Sequence, residues 1–155
     1  MKIAMKIMVL LAMALPAAAL SGDKAMVFSA HDLQVQLDQL TPQAKSAGSS
    51  GTTLASTGNL ALKLSVRTSS GGAEVHAHYD DLMIVEQGSA TLITGGTVVA
   101  GTTSADGETH GSGIDGGVRR TIAVGDVVIV PAGLPHQLLI PPGVVYAAMV
   151  AKIKE

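Results

Sequence analysis

Three of the five histidines stand where their spacing has chemical meaning. His76 and His78 are separated by a single residue in a stretch patterned as a β-strand, and residues i and i+2 of a strand share a face. Their imidazoles can then converge on one point, as two neighbouring metal ligands must. His136 lies 60 residues after His76, directly behind the segment Pro131-Ala132-Gly133-Leu134-Pro135 and at the start of another apolar run. Imidazole suits Zn, Cu, Fe and Ni, and joins carboxylates around Mn and non-haem Fe. A histidine pair of this kind also arises by chance, as two solvated side chains beside the Gly71-Gly72 turn, so the elements around it decide its meaning.

Those elements are mostly strands. Leu60, Leu62, Leu64 and Val66 alternate with Ala61, Lys63, Ser65 and Arg67, the period of two that marks a half-buried strand. Further strands are expected over residues 74–78, 82–86, 89–94, 97–100, 120–123, 127–130, 137–140 and 144–153, punctuated by Gly95-Gly96, Gly125-Asp126 and Pro141-Pro142-Gly143. Residues 45–58 and 101–117, rich in Gly, Ser and Thr, read as loops. A short helix is expected before them. Ser29 and Asp32 form a capping-box pair, Leu33, Leu37 and Leu40 share one helical face, and Pro42 marks the stop. Many short strands with turn signals between them and one N-terminal helix describe an all-β sandwich or barrel.

With that order of strands, the histidine segments resemble the two motifs of the cupin superfamily of small jelly-roll β-barrels. The second motif, G(X)5PXG(X)2H(X)3N, is met at Gly125, Pro131, Gly133 and His136, with Ile140 in place of the closing Asn. The first, G(X)5HXH(X)3,4E(X)6G, is met at His76, His78 and Gly88. Asp81 stands where the family places Glu, only Tyr79 and Asp80 separate it from His78, and the opening glycine falls on Ser70. The resemblance implies one divalent transition metal (Mn, Fe, Ni, Cu or Zn) held by His76, His78 and His136, with Asp81 as a fourth ligand. It implies a small-molecule ligand and admits dioxygenase, isomerase, lyase or decarboxylase chemistry without choosing among them. It equally admits a non-catalytic barrel that binds a sugar or a small metabolite.

Other side chains could join the site. Glu74 shares the face of His76 and offers a substitute carboxylate or a hydrogen-bond partner, although glutamate more often lies on an exposed rim. Asp80 and Glu86 are expected to point away from Asp81, and Gln137 away from His136. Tyr79 could donate a hydrogen bond at the mouth, and Arg67 or Arg119 could clamp an anion. His31 and His110 read as surface histidines, the latter deliverable to the mouth by a folded loop. Met83, Val85, Leu138, Ile140, Val66, Ile129 and Met149 are the expected apolar interior.

Composition excludes much else. The chain has no cysteine, hence no disulfide framework and no thiolate chemistry. Ten Lys and Arg against twelve Asp and Glu, with no basic run and only three aromatic residues, argue against nucleic-acid binding. There is no G-x-S-x-G elbow and no phosphate-binding loop. Lys2 and Lys6, an apolar run over residues 7–15, and Ala17-Ala18-Ala19 compose a secretory signal peptide over residues 1–19. The run is short of the roughly 20 residues of a membrane span, so an exported, periplasmic or extracellular protein is expected, an uncleaved anchor being the alternative. The expected organisation is then an N-terminal segment and loop over residues 20–58 and a β-domain over residues 59–155. An edge strand could support a homodimer.

Overall fold

The computed structural model describes residues 25–155 in full, together with the backbone of Ala18–Ala19. The expected signal peptide otherwise lies outside the described residues. Among those residues no helix is long and apolar enough to cross a membrane. The elements in chain order are β1 (Ala18–Ala19), α1 (Ala30–Ala47), β2 (Ser49–Ser56), β3 (Leu60–Arg67), β4 (Ala73–His76), β5 (Tyr79–Gln87), β6 (Ser89–Thr94) and β7 (Thr97–Val99). They continue with β8 (Thr102–Thr103), β9 (Glu108–Gly111), β10 (Gly113–Asp115), β11 (Val118–Ala123), β12 (Val127–Val130), β13 (His136–Leu139) and β14 (Tyr146–Lys154).

The strands form two six-stranded sheets, ordered β1-β2-β3-β14-β5-β12 and β11-β6-β13-β4-β9-β8, and a two-stranded ribbon of β10 and β7. The expected all-β jelly roll is therefore present, as two facing sheets rather than a closed barrel. Apolar residues of both sheets meet between them: Met83 and Val85 of β5 and Tyr146 and Ala148 of β14 pack with Ala90, Leu92, Ile122 and Ile140. On the outer side of the first sheet, Leu37, Leu40 and Ala44 of α1 cover Leu54, Leu64, Val66 and Ala147. The alternation of β3 and β14 thus serves two cores. One parity (Leu64 and Val66; Ala147 and Met149) faces the helix, and the other (Lys63, Ser65 and Arg67; Tyr146, Ala148 and Val150) faces the second sheet.

Several expectations change accordingly. Val66 and Met149 belong to the helix side rather than the interior between the sheets, and Ile129, 65% exposed on β12, belongs to neither core. The capping box forms as expected, with Asp32 N–H donating to Ser29 Oγ at 3.1 Å and Ser29 N–H donating to Asp32 Oδ2 at 3.2 Å. Pro42 does not stop the helix, which runs on to Ala47 and ends where Gly48 N–H bonds to the Ala44 carbonyl at 2.7 Å. A mid-helix proline removes a backbone bond and costs about 3 kcal/mol. Burial of Leu40 and Ala44 on either side of it offsets that, and the proline itself is exposed. The expected loop over residues 45–58 is instead the end of this helix followed by β2, whose Leu54 and Ala55 are buried. The glycine-rich stretch 101–117 holds β8, β9 and β10. Its strands lack apolar alternation because neither face of them enters a core.

Leu64 is fully buried between helix and sheet. Truncating it leaves a cavity in a place that two rigid elements cannot collapse into. Leu64→Ala is expected to lower the unfolding free energy by about 2–5 kcal/mol, measured by urea denaturation of the purified protein.

Candidate metal centre

Strand register assembles the site. In the second sheet β13 and β9 flank β4, so that His136 pairs with Glu74, Glu74 with His110, and His76 with Glu108. Glu74 and His76 are i and i+2 of one strand and present their side chains to the same side. In the facing sheet Asp81 of β5 pairs with Lys152 of β14. The second-motif segment is tied down on both sides. Ala132 N–H donates to Asp80 Oδ1 at 2.8 Å, and Gly133 N–H donates to the His76 carbonyl at 2.8 Å. Gly133 sits at φ +78°, a left-handed conformation that a side chain would strain. That turn delivers His136 to the start of β13.

The two imidazoles lie with ring centroids 5.0 Å apart and are both buried. His76 Nδ1–H donates to the carboxylate of Glu108, and His136 Nδ1–H donates to the Leu134 carbonyl at 3.2 Å. A carboxylate and a carbonyl can only accept, so each ring is held with Nε2 turned toward the cluster. His76 Nε2 is 3.8 Å from Glu74 Oε2 and 3.3 Å from Asp81 Oδ2, and His136 Nε2 is 3.8 Å and 4.0 Å from the same two atoms. One donor atom each from Glu74, His76 and His136 lie within 4.8 Å of one another. His76 Nε2 is buried without a hydrogen-bond partner, its approach to Asp81 lacking hydrogen-bond alignment. A histidine that gives Nδ1–H to a carboxylate and leaves Nε2 free is the arrangement that metal-binding histidines adopt. The residues present therefore fit a divalent cation.

Electrostatics sets the two rings apart. Burial disfavours the His76 imidazolium, but the carboxylates of Asp81 and Glu108 outweigh it and hold the imidazole above the ordinary histidine value. Burial would raise the Asp81 carboxyl, but His76 and Lys152 keep it below the usual range. Lys152 Nζ is 3.0 Å from Asp81 Oδ1. His136 is pushed down by burial, which leaves it neutral and its Nε2 lone pair free at neutral pH. The cluster opens on a cavity of about 580 Å³ between the sheets, walled in part by Arg67, His110, Leu138, Tyr146, Val150 and Lys152. That is ample room for a small molecule.

The structure brings together His76, Asp81 and His136, adds Glu74, and leaves out His78. Strand β4 ends at His76, the chain bends at Ala77 and His78, and the latter's exposed side chain turns to a smaller, separate cavity. The same-face argument for the histidine pair fails because His78 is not in the strand. Tyr79 lines that smaller cavity too, its ring 5.9 Å from Lys152 Nζ. Gln137 turns away as expected, bonding Gly71 O at 2.9 Å. Asp80 faces the Ala132 turn, and Glu86, His31 and Arg119 are exposed. His110 is exposed yet lines the main cavity beside Glu74. Sequence reading missed Glu108 and Lys152. The first hid in a stretch without periodicity. The second carried a signal, a lysine at the inward parity of β14 following Tyr146, Ala148 and Val150.

With Glu108 as a hydrogen-bond acceptor, Glu108→Gln is expected to lower the His76 imidazole pKa in chelator-treated protein, read from the pH dependence of its ring NMR signals. A raised folded-state pKa contributes stability that is present below the unfolded value of about 6.5 and is lost as pH rises through the folded value. The thermal advantage of the parent over Glu108→Gln should therefore be larger at mildly acid pH and shrink as pH rises through the folded-state value of His76. An unchanged His76 titration in the variant would contradict this assignment.

No protein-family model matches the chain, and no curated protein matches it in sequence. Solved structures do match in fold. BH2720 from Bacillus halodurans superposes with a TM-score of 0.58 at 15% identity, covering 86% of this chain and 84% of that one. The Cnp3 cupin domain of Schizosaccharomyces pombe gives 0.53 at 9% identity, covering 69% and 65%. The DMSP lyase DddQ of Ruegeria pomeroyi gives 0.50 at 16% identity, covering 69% of this chain but only 47% of the lyase. The chain thus spans about half the length of that lyase and somewhat under two thirds of the Cnp3 domain. At these identities the likeness concerns the fold alone: the chain has the cupin fold.

Proposed function

We propose that this is a metal-dependent cupin protein, with one divalent transition metal held by Glu74, His76 and His136 and with Asp81 beside them, and that it acts on a small molecule in the adjoining cavity. The observation that carries the reading is the convergence of two imidazole Nε2 atoms and a carboxylate within 4.8 Å at the wall of a cavity of about 580 Å³. Mixed imidazole and carboxylate donors suit Mn, Fe, Ni, Cu or Zn. A divalent ion in that position supplies Lewis acidity toward a substrate oxygen. The protein's own groups orient and insulate. Glu108 and the Leu134 carbonyl fix the two rings. Leu138 and Val150 line the cavity with apolar surface, and Lys152 neutralises part of the carboxylate charge at Asp81. DddQ, one of the structural neighbours, is a lyase; lyase, isomerase and oxygenase chemistry are all compatible with this donor set.

A second reading, a metal-containing protein that binds its ligand without turnover, is favoured by one feature. Each carboxylate of the site already has a role: Glu74 is a donor of the proposed centre, Asp81 bonds Lys152, and Glu108 accepts from His76. None is left as an evident general base. In either reading the N-terminal pattern supports an exported protein.

Elemental mass spectrometry of the purified protein tests the centre. The parent should carry close to one equivalent of a transition metal. His76→Ala and His136→Ala should lose it, Glu74→Gln should weaken retention, and Glu108→Gln should lower affinity by about 10–100-fold. His78→Ala should retain metal like the parent. Equal loss in His78→Ala, or folded parent protein that stays empty after exposure to Mn, Fe, Ni, Cu and Zn in turn, would overturn the reading.

A further inference from the structure

We propose that the cavity takes a small carboxylate, its anionic end held by the Arg67 guanidinium and the Tyr146 hydroxyl, and its other end reaching the Glu74, His76 and His136 cluster. The far end rests on the metal-centre reading above; the anionic end stands on its own geometry.

Arg67 and Tyr146 are directly paired across β3 and β14, and both line the cavity. Side chains opposed in this way on one face are close neighbours. The guanidinium lies against Gly71, where a Cβ would come 2.7 Å from Arg67 Nη1. Glycine leaves that space open, and the end of the arginine rests on the cavity wall there. Its nearest carboxylate oxygen is Glu74 Oε1 at 3.8 Å, beyond hydrogen-bond length, and the guanidinium makes no hydrogen bond among the described residues. A fork of N–H donors thus fronts the cavity with its capacity unused, and that fork matches a carboxylate bidentately.

Tyr146 supplies the independent observation. Its hydroxyl is buried and has no hydrogen-bond partner, whereas buried tyrosine hydroxyls ordinarily find one. Burial pushes its pKa up to about 12, so it remains an O–H donor at any ordinary pH. An arginine fork and a neutral hydroxyl donor, both lacking acceptors, are together complementary to an anionic oxygen pair and not to a cation.

The length of the ligand follows from Glu74. One of its oxygens is 3.8 Å from Arg67 and the other is 3.8 Å from Nε2 of each histidine. The anion position and the cluster are therefore about one carboxylate apart, which selects a short acid with a second oxygen a few bonds from its carboxylate. Of the other cations on the inward faces, Lys152 is occupied by Asp81 and Lys63 is an exposed residue at the cavity's edge, while Arg119 lies exposed on β11.

The test is calorimetric titration of the Mn(II)-loaded full chain with propionate, lactate, pyruvate and succinate, each beside its primary amide. At least one acid should bind and its amide should bind at least about tenfold more weakly. Arg67→Gln should weaken the acid by about tenfold or more, Tyr146→Phe by a smaller factor, and Arg67→Lys should recover part of the loss. Gly71→Ala, which crowds the guanidinium, should weaken the acid by less than Arg67→Gln, and the metal content of all four variants should stay at the parent level. Amides binding as tightly as acids, unchanged binding in Arg67→Gln, or no acid binding at all would overturn the proposal. The same titrations without metal separate the two readings. Arg67-dependent acid binding by a chain that takes no metal would sink only the metal centre, and a metal-loaded chain that ignores every acid would sink only this proposal.

Discussion

Each of two imidazole Nε2 atoms is held 3.3–4.0 Å from the same two carboxylates at the junction of two sheets, where His76, Asp81 and His136 are all buried. Four electron-rich groups in a poorly solvated place repel one another unless something positive lies among them. The protein's own positive groups at the cluster are the proton that Asp81 and Glu108 favour on His76, the ammonium group of Lys152 on Asp81, and the Arg67 guanidinium 3.8 Å from Glu74. Much of the local architecture holds these groups together: the register of β13 on β4, the Asp80 and Gly133 anchors of the turn before His136, and the pairing of Lys152 with Asp81.

The outer parts of the fold hold these groups by ordinary packing. Helix α1 covers the back of the first sheet, and the ladders of β14 with β3 and with β5 set Arg67 against Tyr146 and Lys152 against Asp81. The ribbon of β7 and β10 is linked to the second sheet through Gln137, whose amide bonds Gly71 O and whose carbonyl accepts from Ile114 N–H. One residue of the second motif thus serves the site, and its neighbour ties down the segment over which the arginine lies.

What could be read in the sequence followed the strength of its periodicities. The alternation at Leu60–Arg67 and the spacing from Gly125 to His136 placed strands, turn and histidine correctly, because burial of one strand face and the backbone needs of a turn leave direct marks on residue type. Asp81 came from the resemblance to the first motif, in which it takes the place of the family's Glu. His78 was misplaced because nothing in residues 74–78 signals that the strand ends at His76; the break comes from the chain turning to cross to the other sheet. Glu108 was invisible, since β9 buries neither face in a core and its residues show no alternation. Pro42 misled because the packing of Leu40 and Ala44 is tertiary information. The ligand pair Arg67 and Tyr146 depends on register between strands some eighty residues apart, which a single sequence does not display.

The fold fixes where a ligand can bind without choosing the chemistry. The central claim is narrower: the centre uses two histidines, one from each motif, and the second histidine of the H-x-H pair takes no part. Pulsed EPR of the Mn(II)-loaded protein tests it most directly, by counting coupled imidazole nitrogens with the histidines isotopically labelled. Two coupled imidazoles, reduced to one in His136→Ala and unchanged in His78→Ala, are the predicted result. Three couplings with one lost in His78→Ala, or none at all, would contradict the account.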